Sequence, residues 1–330
     1  MKPRIKLFAL GGTISAHHEL RDELRHYQTG HYTAQQLVDA LPELSAHAEI
    51  SIEQIDNITS TAVTYQHWLD LKQRLEQSFA QGFAGAVITH GTNTLEETAY
   101  FLHLTLASDK PVVLTGSQRP FSALSSDAPL NLLNAVRTAA APQCHGLGVL
   151  VAMNDNIYSA RDVSKTHSYH LESFQALNNG PLGSIDTDRS VRIDHLPARK
   201  HSLNSIFSQL PLNNHEPYVP ILFSHAGADA RLLQSLLKYE RPKGIVLAGT
   251  GAGRCSPLEE IAIEQARKLD IPIVMSSRLA SGRILDLDCY ADLQLIAADD
   301  LPPQKARILL MLAINAGFDL AQLRQAFAEH

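Results

Sequence analysis

Short apolar segments alternate with stretches of helical periodicity along most of the chain, and this alternation leaves few folds open. Strand-like segments fall at residues 5–10, 49–55, 84–89, 111–115 and 146–153. Helical patterns sit between them. In residues 65–81, Trp68, Leu71, Leu75 and Phe79 recur at spacings of three and four, and Gly82 follows as a stop. Residues 94–107 and 127–141 read the same way. Strand–helix alternation with short links predicts a mainly parallel α/β sheet covered on both faces. In such sheets ligands gather at the carboxyl ends of the strands. The polar strand exits at Thr13, Ser60-Thr61, Thr92-Asn93 and Ser117-Gln118 are therefore expected to surround one crevice. Gly11-Gly12, just before Thr13, allow positive φ and close backbone approach there.

A second α/β set follows, with strands predicted at 219–223, 244–248 and 271–276 and helices at 230–239 and 257–269. Two helices, about 303–316 and 320–328, close the chain. A length of 330 residues suits two domains. The predicted division is a larger N-terminal α/β domain over 1–196 carrying most of the site, a linker at 197–218 and a smaller C-terminal α/β domain over 219–330. Pro197, Pro211 and Pro217 punctuate the linker, and no sustained helix pattern occurs from 180 to 214. Residues 16–32 are polar and aperiodic, a long loop of the kind that forms lids. Thr33 is a predicted cap for a helix ending before Pro42. Thr94-Leu-Glu-Glu97 fits a capping box.

Composition excludes several function classes. Lys plus Arg number 28 against 34 Asp plus Glu, a net charge of −6 with no basic patch, so neither nucleic acid nor an anionic membrane is an expected partner. No run of 18 apolar residues exists to span a bilayer. The first strand begins almost at once, which leaves no room for a leader and predicts a cytoplasmic protein, or a periplasmic one if a leader has been removed. Cys144, Cys255 and Cys289 are odd in number and widely spaced, unlike a disulfide framework. No Cys/His spacing matches a zinc site, and no metal is expected. Gly249-Thr-Gly-Ala-Gly253 follows a strand and precedes a helix, but its third glycine is misplaced for a dinucleotide fingerprint. Asp270 precedes the next strand, on the wrong edge of a sheet for a ribose.

The stretch Val87-Ile-Thr-His-Gly-Thr-Asn-Thr-Leu-Glu-Glu-Thr98 packs polar groups where a strand end meets a helix start. Free backbone N–H groups at such a junction suit an anion or a developing oxyanion. By its residues alone, it also reads as an ordinary well-capped βα loop.

Several runs, taken together and in order, resemble the bacterial-type L-asparaginase and glutaminase-asparaginase family, nearest its type II branch. They include Leu10-Gly-Gly-Thr-Ile14, Val87-Ile-Thr-His-Gly-Thr92, Thr94-Leu-Glu-Glu-Thr-Ala-Tyr-Phe101, Val151-Ala-Met-Asn-Asp155, Arg161-Asp-Val-Ser-Lys-Thr166 and Gln304-Lys-Ala-Arg307. The resemblance covers essentially the whole chain. It implies hydrolysis of the side-chain amide of asparagine, sometimes also glutamine, without metal or organic cofactor. It also implies a homotetramer built as a dimer of dimers. Carried over by position, it makes Thr13 the nucleophile, Tyr27 the tyrosine of a mobile lid, Thr92 the second catalytic threonine and Lys165 the lysine linked to it. It puts Ser60 at the substrate carboxylate, Thr61 and Asn93 in the binding shell, and the backbone of Ser117 at the substrate amide. A threonine hydroxyl needs a neighbouring base, and a lysine serves as one only where burial lowers its pKa.

One departure matters most. Asn93 stands where the family has an aspartate that pairs with the substrate α-ammonium. Asparagine has the same shape without the charge, and a buried ammonium left unpaired costs roughly 2–5 kcal/mol. By counting from neighbouring matches, Ala252 and Cys289 replace a family asparagine and glutamate, and Thr61 a glutamine. Three explanations stay open: a variant disabled at one position, a paralogue with a shifted substrate, or a non-catalytic binding protein.

Overall fold

The computed structural model of the chain describes residues 2–330 and divides into two compact units, the first ending at Asn204 and the second Ser205–His330. The first unit contains, in order, β1 (Arg4–Gly11), α1 (Ala34–Asp39), α2 (Leu44–His47), β2 (Glu49–Ile58), α3 (Tyr65–Ala80), β3 (Gly85–Thr89), α4 (Leu95–Thr105), β4 (Val112–Thr115), α5 (Ala128–Ala140) and β5 (Val149–Met153). The short strands β6 (Asn156–Ser159), β7 (Ser164–Lys165), β8 (Phe174–Gln175), β9 (Gly183–Ile185) and β10 (Val191–Ile193) follow.

Eight strands form one sheet in the order β10-β9-β6-β5-β4-β3-β1-β2. The five strands from β2 to β5 are parallel, as strand–helix alternation requires. The other three run antiparallel and extend one edge. Alternate residues of a strand face opposite sides. Ile5, Leu7 and Ala9 of β1 accordingly join Val87, Val113 and Leu150 in a core closed by Leu132, Ala135 and Val136 of α5. Phe8 and Leu10 are buried too. Tyr100 and Phe101 of α4 are fully buried, and Trp68 of α3 stacks on Phe101 with ring centres 5.1 Å apart.

One local expectation needs correction. Thr94 does not cap α4: its hydroxyl donates to Ser60 O at 2.7 Å, which removes it from the helix N–H groups. Residues 180–214, where the sequence shows no sustained helix pattern, hold the short strands β9 and β10, paired through Val191 and Ile185. Three-residue strands are too short to show a period of two, and a partner strand defines them. At α1 the predicted cap forms: Gln36 N donates to Thr33 Oγ1 at 3.2 Å, and Thr33 N to Gln36 Oε1 at 2.8 Å.

The second unit contains β11 (Ile221–Phe223), α6 (Arg231–Ser235), β12 (Ile245–Gly249), α7 (Pro257–Lys268), β13 (Ile273–Ser277), β14 (Ile296–Ala297), α8 (Pro303–Asn315) and α9 (Leu320–Glu329). Its four strands are parallel in the order β11-β12-β13-β14. Leu247, Ile263, Ala266 and Met275 lie in its core. The glycine run after β12 closes on itself, with Thr250 N donating to Arg254 O at 2.8 Å and Arg254 N to Thr250 O at 2.9 Å. Helix α7 starts later, capped by Ser256. Among the described residues, no helix is long and apolar enough to cross a membrane.

Candidate active site

Three strand exits of the first unit meet at near-contact distance, and glycines permit it. Gly12 has φ +88°, and a Cβ there would lie 2.3 Å from Gly91 Cα. A Cβ on Gly91 would lie 2.9 Å from Ser60 Oγ. The exits of β1, β2 and β3 thus pack backbone to backbone, which brings Thr13, Ser60 and Thr92 together. The exit of β4 is held by Asp127, whose carboxylate accepts from Gln118 N at 2.9 Å and Arg119 N at 3.0 Å. Burial raises the pKa of Asp127, and these N–H donors oppose the rise.

A cavity of about 540 Å³ opens at these exits. Of the residues singled out in the sequence, Thr13, Tyr27, Ser60, Thr92, Asn93 and Lys165 line it. Thr61 and Ser117 do not. Thr61 is exposed and shares a 2.9 Å hydrogen bond with the hydroxyl of Thr59, which does line the cavity. Ser117 is buried, with its hydroxyl donating to Arg119 O at 2.6 Å, and its neighbour Gln118 reaches the wall.

The side chains fall into two pairs. Thr13, on a single helical turn directly after β1, has its hydroxyl 3.1 Å from Tyr27 OH. Tyr27 belongs to the long 16–32 loop, which is not a free tether. His17 and Gln28 exchange two backbone hydrogen bonds across it, at 3.0 and 2.9 Å. Asn57 Nδ2 donates to Gly30 O at 2.7 Å. In the second pair, Lys165 Nζ donates to Thr92 Oγ1 at 2.8 Å and to Asn93 Oδ1 at 3.0 Å. Strand β7 carries Lys165, and its pairing with β8 fixes the approach of the lysine. Burial lowers the pKa of Lys165, against an opposing pull from Glu96.

Behind the site, His90 is fully buried and burial pushes its pKa down to about 4. Nδ1 lies 2.8 Å from Gly91 O, so it carries the proton, and Nε2 accepts from the Thr98 hydroxyl at 2.9 Å. Thr98 Oγ1 in turn accepts from Trp68 Nε1 at 2.8 Å. This chain ties α3 and α4 to the β3 exit.

Arg25 and the rim residues His167, Ser168 and Tyr169 also line the cavity. Pairing with His170 marks His167 in the sequence as a surface or site-edge histidine, whereas for Arg25, Ser168 and Tyr169 only adjacency to Tyr27 and Lys165 hinted at a place in the site. Among the described residues, no three or more His, Cys, Asp and Glu side chains are placed to hold a metal ion.

Comparison with known proteins covers both units. Residues 4–199 match the model of the asparaginase N-terminal domain, and residues 218–327 that of the glutaminase/asparaginase C-terminal domain. L-asparaginase 2 of Bacillus subtilis (strain 168) is 39% identical over 329 residues, 99% of this chain and 87% of the relative. A probable periplasmic L-asparaginase of Haemophilus influenzae (strain ATCC 51907 / DSM 11121 / KW20 / Rd) is 38% identical over 330 residues, 99% of this chain and 93% of the relative. Among solved structures, a probable cytoplasmic L-asparaginase from Campylobacter jejuni superposes with a TM-score of 0.95 at 39% identity, with 100% of each chain covered.

Proposed function

The chain belongs to the asparaginase and glutaminase-asparaginase family, and from that premise we propose that it hydrolyses the side-chain amide of L-asparagine to the acid and ammonia, with L-glutamine as the second amide to test. The observation that carries this reading is the pairing of Thr13 with Tyr27 and of Thr92 with Lys165 around one cavity.

In the proposed reaction, Thr13 Oγ1 attacks the amide carbon, and Tyr27, brought by the lid, orients that hydroxyl and helps exclude water. The Thr92–Lys165 pair handles protons. Burial favours the uncharged amine of Lys165, the form able to accept one. Ser60 and Asn93 bind the two ends of the substrate, Thr61 supports Ser60 through Thr59, and Ser117 contributes backbone only. The helix start just after Thr92 lends partial positive charge to a developing oxyanion.

Thr13→Ala should reduce kcat for ammonia release by at least about a thousandfold. Retention of more than a tenth of the activity would remove Thr13 from the nucleophile role. A second reading, binding without turnover, draws support from Asn93. Ammonia release from L-asparagine by Asn93→Asp but not by the parent chain would favour it.

We assign the active form to a homotetramer, a dimer of dimers, by family membership, and sedimentation showing a fully active monomer would exclude it. The similar proteins include a probable cytoplasmic and a probable periplasmic L-asparaginase. Three free cysteines support the cytoplasmic assignment, since such thiols persist in a reducing compartment. Fractionation of the native host checks it.

A further inference from the structure

Lys165 is held at both ends. Its Nζ reaches the turn after β3, through Thr92 Oγ1 at 2.8 Å, and its backbone reaches α4, where Lys165 N donates to Glu96 Oε1 at 3.3 Å. Glu96 is the second residue of α4 and only 5% exposed, so this contact is made inside one chain. The first turn of α4 thus holds two neighbours: Thr94 holds the β2 exit through Ser60 O, and Glu96 holds β7. The helix dipole favours a carboxylate in that turn. A carboxylate near an amine favours its ammonium form, and Glu96 acts on Lys165 in this sense, against burial. Because Glu96 meets the backbone of Lys165, the Nζ donors serve Thr92 and the neutral Asn93. Also around Lys165 are Arg161 and Asp162 before β7, which pair with each other at 3.2 Å, His167 after it, and Arg25 and Tyr27 of the lid. His90, beside the turn that carries Thr92, is neutral above about pH 4.

We propose that Glu96 is a positioning residue of the reaction: it fixes β7 so that Lys165 Nζ meets Thr92, and its carboxylate steadies the ammonium that forms when Lys165 takes up a proton. This rests on the proposed amidohydrolase reading and deepens it. The proton that Nζ accepts through the Thr92 hydroxyl comes from the attacking hydroxyl. It passes on to the departing nitrogen, which leaves as ammonia, so none is gained or lost. A third group that orients a base and stabilises its charged form follows the logic of a hydroxyl–base–carboxylate triad. Here the members are Thr92, Lys165 and Glu96, all from one chain.

The test is ammonia release from L-asparagine and L-glutamine across pH by the parent chain, Glu96→Gln and Glu96→Asp, with thermal melts to confirm folding. Glu96→Gln keeps the shape and the backbone contact and removes the charge. The break in its kcat/KM profile should move to lower pH. Above the break, kcat and kcat/KM should fall together by about threefold or more, with KM nearly unchanged. Glu96→Asp, which withdraws the charge by one methylene, should move the break the same way by less, and it decides alone if Glu96→Gln does not fold. A 15N NMR titration of Lys165 Nζ reads the same effect without turnover, and its midpoint should be lower in Glu96→Gln. A merely structural Glu96 would lower stability and rate but leave the break and the midpoint in place, and that result overturns the proposal. So does a break that Glu96→Asp moves as far as Glu96→Gln does. Either outcome with an active parent chain leaves the amidohydrolase reading intact. No ammonia from either amide by the parent chain overturns that reading, and this role with it.

Discussion

Lys165 holds both Thr92 and Asn93 through one ammonium, so its protonation links catalysis to stability. Its folded-state pKa lies below the ordinary 10.5 because of burial. The folded protein therefore binds fewer protons than the unfolded chain between that lowered value and 10.5. The cost of the buried charge is fully present below the lowered pKa and is relieved as pH rises through it. Lys165→Met should accordingly raise Tm at pH 7 while abolishing turnover, and the gain should shrink by pH 10. Calorimetry at the two pH values checks this, and a constant gain would contradict it. The rate should follow the same group. In the parent chain kcat/KM is expected to rise with pH until Lys165 is neutral. A carboxylate beside an ammonium favours the charged form. Asn93→Asp should therefore move the break in the pH profile upward, and a downward shift would refute the role given to Lys165.

At the scale of elements, the site depends on strand exits that touch. Ala at position 12 would place a Cβ 2.3 Å from Gly91 Cα on a backbone at φ +88°. Such a backbone costs a non-glycine residue about 1–3 kcal/mol before any clash. Gly12→Ala should lower the denaturation midpoint by at least that much and cut turnover together with it. Unaltered stability would mean that the β1 and β3 exits are not packed this way. The Thr94–Ser60 hydrogen bond ties the start of α4 to the β2 exit. Its loss in Thr94→Val should cost about 0.5–1.5 kcal/mol. Ser60 is a proposed binding residue, so KM should rise more than kcat falls. Steady-state kinetics showing the reverse would place Thr94 in the chemistry instead.

For the molecule as a whole, acid is the expected weakness. His90 is neutral in the folded state, with a pKa of about 4, whereas in the unfolded chain it titrates near 6.5. The unfolded chain takes up a proton first as pH falls, so stability is lost between about 6.5 and about 4. The loss amounts to about 3 kcal/mol at most. Because the ring links the β3 exit to α3 and α4 through Thr98 and Trp68, protonation strains the whole first unit. Urea titrations across this range should show a shallower pH dependence for His90→Gln than for the parent chain, and identical slopes would remove His90 as the cause.

Much of this architecture is legible in the sequence. The alternation of apolar runs with helical periodicity specifies the five parallel strands and the helices over them, because both signals are local and repeat along the chain. Thr33 and Gln36 form their cap because that geometry spans only one turn. The strands β9 and β10 were not legible, since a three-residue strand exists only by virtue of its partner. Thr94 reads as a cap in sequence and serves Ser60 in space, since a hydroxyl takes whichever acceptor the fold places nearest. The residues Thr13, Ser60, Thr92 and Lys165 could be singled out from sequence, and the strand exits expected around one crevice, but the direct contact between those exits could not. That required Gly12, Gly91 and Ser60, distant in sequence, to meet at contact distance. Only the folded chain shows that Lys165 reaches both Thr92 and Asn93, and that no carboxylate of the first unit lines their cavity, because charge in a cavity depends on every segment that lines it.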